Sequence, residues 1–403
     1  MSLKLRSITL AALTAVAIST SALAVPCRNN TGSFERWLDG FKQEAATQGI
    51  SPATISAALE GMVFDQAIIN RDHGQGVFQQ TFLQFSDRMV SRDRLQQGAR
   101  LMQKHAGLFA SIEQKYGVPP PVLVSFWGLE SDFGTNNGKY PILRAVTSLA
   151  YDCRRPEFFR AQLIDALRII ERGDLRPSEM IGDWAGELGG MQFTPSDYYK
   201  YGVDFDGDGR RDLVHSVPDM LASAANFLVG LGWRRGEPWL QEVRIPAELP
   251  WEQADLAVKH PRSQWARWGV TLPDGRPLPA DNMPASLLLL MGRFGPAFLA
   301  YPNFQAYLGW NQALVYATTA AYLATRIAGA PPIHRGNGAV VALPAPQILE
   351  LQQLLAKHGY EVGKFDGKLG LTTRASIRQA QLKLGLPADS YPTVELINRL
   401  RGL

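Results

Sequence analysis

Gly128-Leu129-Glu130-Ser131-Asp132-Phe133-Gly134, directly after the apolar run Val122-Leu123-Val124-Ser125-Phe126-Trp127, is the stretch that decides how the chain is read. A carboxylate at the end of an apolar, helical segment is not an ordinary surface charge. Partial desolvation disfavours its ionised form, so the pKa of Glu130 is expected to rise until the side chain holds a proton near neutral pH. Cleaving a glycosidic bond asks that of a general acid. A solvated Glu at a helix end would fit the same residues, so the segments around it must decide.

Upstream, residues 33–115 place apolar side chains at helical spacing, as in Phe34, Trp37, Leu38 and Phe41, then Leu101, Leu108 and Ile112. Ser51-Pro52-Ala53 is a helix start, with a Ser cap and Pro at the first position. Pro119-Pro120-Pro121 opens the segment that leads to Glu130. Downstream, Phe158 to Arg172 predicts an amphipathic helix stopped by Gly173, and Asn311 to Ile327 predicts another. Between them, Glu242-Val243-Arg244-Ile245 and Gly269-Val270-Thr271-Leu272 alternate as strands do, so a small β-rich insertion is expected at about 239–284.

Breakers at Ala330-Pro331-Pro332, Gly336-Asn337-Gly338 and Leu343-Pro344-Ala345-Pro346 make a linker over 331–346. A compact helical unit follows at 347–403, small but large enough to fold alone. The 403 residues allow two or three domains with a sizeable core. At 46% hydrophobic and 19% charged, the chain is not largely disordered. A net charge of +4 suits a wall polymer carrying acidic groups. It is too mild to argue for nucleic acid, and Lys and Arg are scattered rather than striped.

Lys4 and Arg6, the apolar stretch from Ile8 to Ile18 and Ala22-Leu23-Ala24 read as a signal peptide over 1–24, cleaved after Ala24. The expected location is the periplasm, and a membrane-anchored form is the lesser reading. No later segment is long and apolar enough to span a bilayer. In an oxidising compartment the even count of Cys27 and Cys153 points to a disulfide. Closing so long a loop is worth about 5 kcal/mol, less any strain.

Asp204-Phe205-Asp206-Gly207-Asp208-Gly209-Arg210 sets three carboxylates at alternate positions, with Gly209 at the turn and the Arg210 carbonyl as a further ligand. These match the opening of a calcium loop. Its last position is His215 instead of a bidentate Glu, with Asp212 and Asp219 placed to complete the shell. A structural Ca²⁺ (or Na⁺) is expected, and no cofactor for the chemistry. Ala185-Gly186-Glu187-Leu188-Gly189-Gly190-Met191-Gln192-Phe193-Thr194-Pro195 is glycine-rich, which lets backbone approach a bulky ligand, and the Gln192 amide can donate to a sugar.

Together, Glu130-Ser131, Gly190-Met191-Gln192-Phe193-Thr194-Pro195-Ser196, the acidic loop from Asp204 to Asp208 and Asn311-Gln312-Ala313-Leu314-Val315-Tyr316 resemble the B-type lytic murein transglycosylases. The segments occur in that family's order, and the likeness covers most of residues 33–328. The tail, with Ile348-x-x-Leu351-Gln352, Phe365-Asp366-Gly367 and Gly370-x-x-Thr373, resembles a three-helix peptidoglycan-binding domain. Ala380-Gln381 departs from the aromatic-Gln usual there. The resemblance implies a mainly α (α+β) fold: a lysozyme-like core over 25–330, the β-rich insertion and the small wall-binding domain.

It further implies that Glu130 acts as the one general acid/base, cutting the bond between N-acetylmuramic acid and N-acetylglucosamine. The muramoyl 6-hydroxyl closes a 1,6-anhydro ring, so no second catalytic carboxylate is required. Ser131, Gln192, Asn311 and Tyr316 match positions that line the cleft or hold Glu130. Asp183 stands where relatives often carry Ser. Asp132, Asp183 and Glu187 are candidate second carboxylates, which keeps a hydrolytic muramidase as one alternative and an inactive wall-binding scaffold as another. Peptidoglycan glycan strands are the expected partner, proteins of wall synthesis or division are candidates, and the oligomeric state is left open. No Gly-x-Ser-x-Gly and no His-Glu-x-x-His occurs, which sets aside esterase, protease and zinc-amidase readings.

Overall fold

The computed structural model describes residues 27–28, 33–74 and 80–403, so the expected signal peptide lies outside the described residues. Helices dominate. Helix α1 (Phe34–Thr47) starts on a Ser33 side-chain cap and buries Trp37, Leu38, Phe41 and Ala45 along one face. Helix α2 (Pro52–Leu59) begins on Ser51, whose hydroxyl accepts from the Thr54 amide. Helices α3 (Gln66–His73), α4 (Phe82–Met89), α5 (Arg92–Lys104) and α6 (Ala106–Tyr116) follow, and α6 ends on Gly117.

Helix α7 (Pro120–Ser131) is the axis of the molecule. Every residue from Val122 to Gly128 is buried, because α5 and α14 (Leu314–Ile327) cover its flanks. A helix hydrophobic all round can sit only inside a core. Helices α8 (Ile142–Tyr151), α9 (Pro156–Glu171), α10 (Pro195–Tyr201) and α11 (Val217–Gly230) wrap the other side, with α9 packed against both α8 and α10. A short antiparallel pair, β1 (Tyr140–Pro141) with β2 (Ile181–Gly182), brings the loop after α7 against the glycine-rich segment. Cys27 and Cys153 are disulfide-bonded with their Cα atoms 5.2 Å apart.

The strand-rich part is an antiparallel sheet of order β3-β6-β5-β4: β3 (Leu240–Val243), β4 (His260–Pro261), β5 (Pro284–Leu288) and β6 (Ala297–Ala300). It therefore runs past residue 284, to Ala300. Gly269–Leu272 forms no regular strand; Thr271 makes single bridges to Arg244 and Pro277, in a stretch interrupted by Pro273. Both faces of the sheet are buried. Phe298 and Ala300 join the large helical core, while Ala297 and Leu299 join a second core with Trp265, Leu287 and Tyr301. Helix α12 (Arg262–Arg267) supplies that Trp265, and α13 (Phe304–Trp310) returns the chain to the helical body.

Helices α15 (Ala345–Lys357), α16 (Leu371–Lys383) and α17 (Val394–Arg401) enclose a third core of Leu351, Leu355, Ile377, Leu396 and Leu400. Gln381 is buried and serves this unit, donating to Asp389 Oδ1 and the Tyr391 carbonyl at 3.0 Å each. The unit is seated on the sheet. Arg374, buried, donates to the carbonyls of Leu289 and Leu290, and Asp389 accepts from the Arg293 amide at 3.0 Å. The segment before it is bonded to the body as well, with the Asn337 amide on the Phe294 carbonyl at 2.8 Å.

Candidate active site

Glu130 lies in the last turn of α7, where the helix emerges from the core. The exit is sharply made. Asp132 and Phe133 adopt left-handed backbone (φ 52° and 60°), conformations that a side chain normally disfavours by about 1 kcal/mol or more. Four hydrogen bonds hold them there. Arg94 of α5 bridges the Met89 carbonyl (2.5 Å) and Asp132 Oδ1 (3.0 Å). Ser131 Oγ donates to the Gly190 carbonyl at 2.6 Å and accepts from the Gly134 amide at 2.8 Å. Ser131 thus ties the helix end to the glycine-rich segment; it is buried and does not line the groove.

Two donors converge on one oxygen of Glu130. Trp310 Nε1 donates to Oε1 at 2.8 Å, and the Tyr316 hydroxyl donates to the same atom. They come from the end of α13 and the first turn of α14, so one short helix–loop–helix delivers both. Trp310 is fixed by stacking on Phe126 of α7, with ring centroids 4.2 Å apart, and by packing near Phe227 and Phe193. Burial among these rings pushes the Glu130 carboxyl up to about 7, against the lowering effect of its two hydrogen bonds. Among the described residues Oε2 has no hydrogen-bond partner, which leaves it for a ligand. The carboxyl is therefore near half-protonated at neutral pH, able to give a proton and take one back.

The glycine-rich segment supplies the facing wall. Gly190 cannot carry a side chain: a Cβ there would lie 2.8 Å from Met220 Sδ and 2.9 Å from Trp127 Nε1. Gly138 is equally constrained, since its Cβ would fall 2.0 Å from the Gly182 carbonyl. Gln192 also has left-handed backbone (φ 50°), and its amide donates to the Gly189 carbonyl at 2.7 Å. It makes no bond to Glu130. Asn311 likewise makes none; its Oδ1 accepts from the Ala313 amide at 2.9 Å and shapes the entry to α14. Asp183 is occupied inside its own turn, accepting from the Ala185 amide (2.8 Å) and the Glu187 amide (3.0 Å). Of the residues expected around Glu130, only Tyr316 is bonded to it.

One site residue escaped the sequence reading, and a second was named without its place beside Glu130. Trp310 stands immediately before Asn311, but nothing local says that its indole reaches Glu130. Glu187 was noted only as one of several carboxylates. Its side chain is half-buried and close enough for its charge to act on both Glu130 and Tyr316. Burial, then the neighbouring Asp183, Glu130 and Asp197, push it up to about 8. Cavities of about 350 and 370 Å³ lie elsewhere, one between the sheet and α16, the other beside α6.

In the acidic loop, Asp204, Asp206 and Asp219 bring one carboxylate oxygen each within 4.8 Å of one another. Asp219, wholly buried at the first turn of α11, accepts from the amides of Phe205 (2.7 Å), Asp206 (3.3 Å) and Asp212 (2.9 Å). Asp208 Oδ1 accepts from the Arg210 amide at 2.8 Å and lies outside that 4.8 Å group. The Arg210 guanidinium reaches the Asp174 carbonyl (2.8 Å) and Glu179 (3.1 Å), which leaves only its backbone for the loop. His215 pairs with Asp212 at 3.0 Å. Three converging carboxylates are hard oxygen donors that fit Ca²⁺ or a similar cation.

A helical fold that presents one desolvated glutamate from a buried helix, faced by a glycine-rich wall, defines a lysozyme-like enzyme of glycan strands. The chain belongs to the Transglycosylase SLT domain family, whose model matches residues 33–325, and a peptidoglycan binding domain model matches 344–400. It is a lytic transglycosylase: the family cuts peptidoglycan glycan strands and leaves anhydro ends. Among its relatives, SltB3 from Pseudomonas aeruginosa, solved in complex with NAG-anhNAM-pentapeptide, is 40% identical with a TM-score of 0.85, over 92% of this chain and 99% of that one. The membrane-bound lytic murein transglycosylase B of Escherichia coli K12 is 30% identical over 249 residues, 61% of this chain and 67% of the relative. Escherichia coli Slt35, solved in complex with calcium, matches with a TM-score of 0.61 at 26% identity, over 72% of this chain and 92% of that one. Among the described residues no helix is long and apolar enough to cross a membrane.

Proposed function

We propose that Glu130 alone carries the acid/base chemistry of this transglycosylase. Protonated, it delivers its hydrogen from Oε2 to the oxygen joining N-acetylmuramic acid to N-acetylglucosamine. The neighbouring acetamido group stabilises the cationic carbon. The resulting carboxylate, with Oε1 held by Trp310 and Tyr316, takes the proton of the muramoyl 6-hydroxyl as that oxygen closes the 1,6-anhydro ring. Bond making and breaking balance without water.

The observation that carries this reading is the state of the other carboxyls. A hydrolytic muramidase needs a second, ionised carboxylate as nucleophile or base. Asp132 is paired with Arg94, Asp183 is consumed by turn amides, and Glu187, at about 8, is mostly neutral at neutral pH. Gln192 and Asn311 line the wall and receive the acetamido groups. Residues 25–330 form the catalytic region and 347–403 hold the enzyme on the wall. Export by residues 1–24 delivers it to the periplasm. The acidic loop holds Ca²⁺ (or Na⁺) through Asp204, Asp206 and Asp219, which staples α10 to α11 and takes no part in catalysis.

Digestion of purified sacculi tests the mechanism. Muropeptides should leave as anhydro species, each one water lighter than a hydrolysis product. Glu130→Gln should lower release by about a thousandfold, within the range of lost general-acid catalysis, while the protein still sediments with sacculi. Water-added products, or undiminished release by the variant, would overturn it.

A further inference from the structure

Glu187 is the carboxyl close to Glu130 and Tyr316 that the mechanism leaves unused. Its backbone closes the turn over residues 183–187, with the Asp183 amide on its carbonyl at 2.9 Å and its own amide on Asp183 Oδ1 at 3.0 Å. Its carboxyl has no hydrogen-bond partner among the described residues, although it is half-buried. The other acids around it are all engaged: Glu130 by Trp310 and Tyr316, Asp183 by two amides, Asp197 by the Thr194 hydroxyl at 2.7 Å. Among the described residues, the charged and titratable groups that act on it are Asp183, Glu130, Asp197, Tyr316 and the cation Arg155, with Arg71 and Arg94 acting on Asp183 and Tyr316 behind them. Arg155 is already paired with Asp72 at 2.6 Å. A half-buried carboxyl among carboxylates, without a donor of its own, is an acid that offers its O–H and lacks an acceptor.

Next to Glu130, a bound glycan brings a strong neutral acceptor on each sugar, the carbonyl of its N-acetyl group. We propose that Glu187 is a specificity-determining residue whose carboxyl O–H donates to the acetamido carbonyl of the sugar bound beside Glu130. This rests on the reading of the Glu130 groove as the glycan site. The hydrogen bond makes the groove select N-acetylated sugars, and it ties recognition to pH. The bond exists while Glu187 is protonated and disappears as the pH passes about 8. The ionised form can only accept.

The test is binding of the β-1,4-linked tetramer of N-acetylglucosamine to the full chain carrying Glu130→Gln, which removes both turnover and the titration of Glu130. Calorimetry from about pH 6 to about pH 9 brackets the Glu187 titration. Affinity should fall about fivefold across that range, the factor expected for one neutral hydrogen bond. Adding Glu187→Gln, which keeps a donor that cannot ionise, should hold affinity within about twofold at every pH. Adding Glu187→Ala should show the weaker value throughout. A pH dependence that survives Glu187→Gln, or an alanine variant that binds like its parent, overturns the proposal. Absence of binding by every variant removes the groove as a glycan site and the proposal with it. Glu130-dependent release from sacculi, measured separately, decides the mechanism on its own.

Discussion

At the scale of single residues, the site is a contest between burial and hydrogen bonding at one carboxyl. Burial raises Glu130, while Trp310 and Tyr316 donate to its anion and so lower it, leaving the group at about 7. Release requires the protonated form, so kcat/KM should decline as the pH rises through about 7. Tyr316→Phe removes a donor that favours the anion. The alkaline limb should therefore move to higher pH, while kcat at neutral pH drops about three- to tenfold, because the returning base is less well held. A pH–rate profile of the variant on soluble muropeptides measures both; an alkaline limb displaced to lower pH would contradict the account. Glu130 was legible because an acid after an apolar helix is chemically out of place. Trp310 was not, since its link to Glu130 spans the chain and depends on the ring stack with Phe126. Asp183 was read as a candidate second carboxylate, and its Oδ1 is spent on the turn that presents Glu187.

At the scale of elements, helices followed the sequence closely where caps and periodicity agree, as with Ser51 and Pro52 opening α2. The sheet was only half visible. Alternation betrays a strand with one wet face, and β5 and β6 have none: Ala-Ser-Leu-Leu and Ala-Phe-Leu-Ala are apolar because both sides are packed. The acidic loop was legible as a pattern, and its last carboxylate, Asp219, comes from the following helix to converge with Asp204 and Asp206. Asp204, Asp206 and Asp219 repel one another unless a cation lies between them. Chelation should thus lower the melting temperature by roughly 3–4 °C, the size expected for a chain of this length losing an ion held at about a hundred times its Kd. Turnover well below melting should change by less than about twofold, the loop being a staple and not part of the groove. Calorimetry with and without chelator decides it, and an unchanged melting curve would make the loop a plain turn.

For the whole molecule, the sequence separated a core, a linker and a small C-terminal unit by composition, but composition could not say that the units touch. Residues that read as a linker are bonded to the body: the Ile333 amide on Tyr322 Oη at 3.2 Å, His334 on Glu242, Arg335 on Asp87 at 2.9 Å, Asn337 on Phe294. The C-terminal unit then adds Arg374, whose guanidinium is drawn down to about 10 by burial and remains charged at neutral pH. A buried cation that spends its donors on the Leu289 and Leu290 carbonyls costs desolvation and repays it only while the two units stay together. Arg374→Met keeps the bulk of the side chain and removes those bonds. About 3 kcal/mol of the joint should be lost, enough to uncouple a unit of this size from the body. Calorimetry should resolve a separate, lower transition for residues 345–401, and limited proteolysis should cut the 331–346 segment faster. Release from soluble muropeptides should be unaffected, because Arg374 bonds to the Leu289 and Leu290 carbonyls and not to Glu130 or to the Trp310 and Tyr316 that hold it. A single transition at the parent's temperature, with unchanged proteolysis, would mean that the seat on the sheet is held by Asp389 and the linker alone.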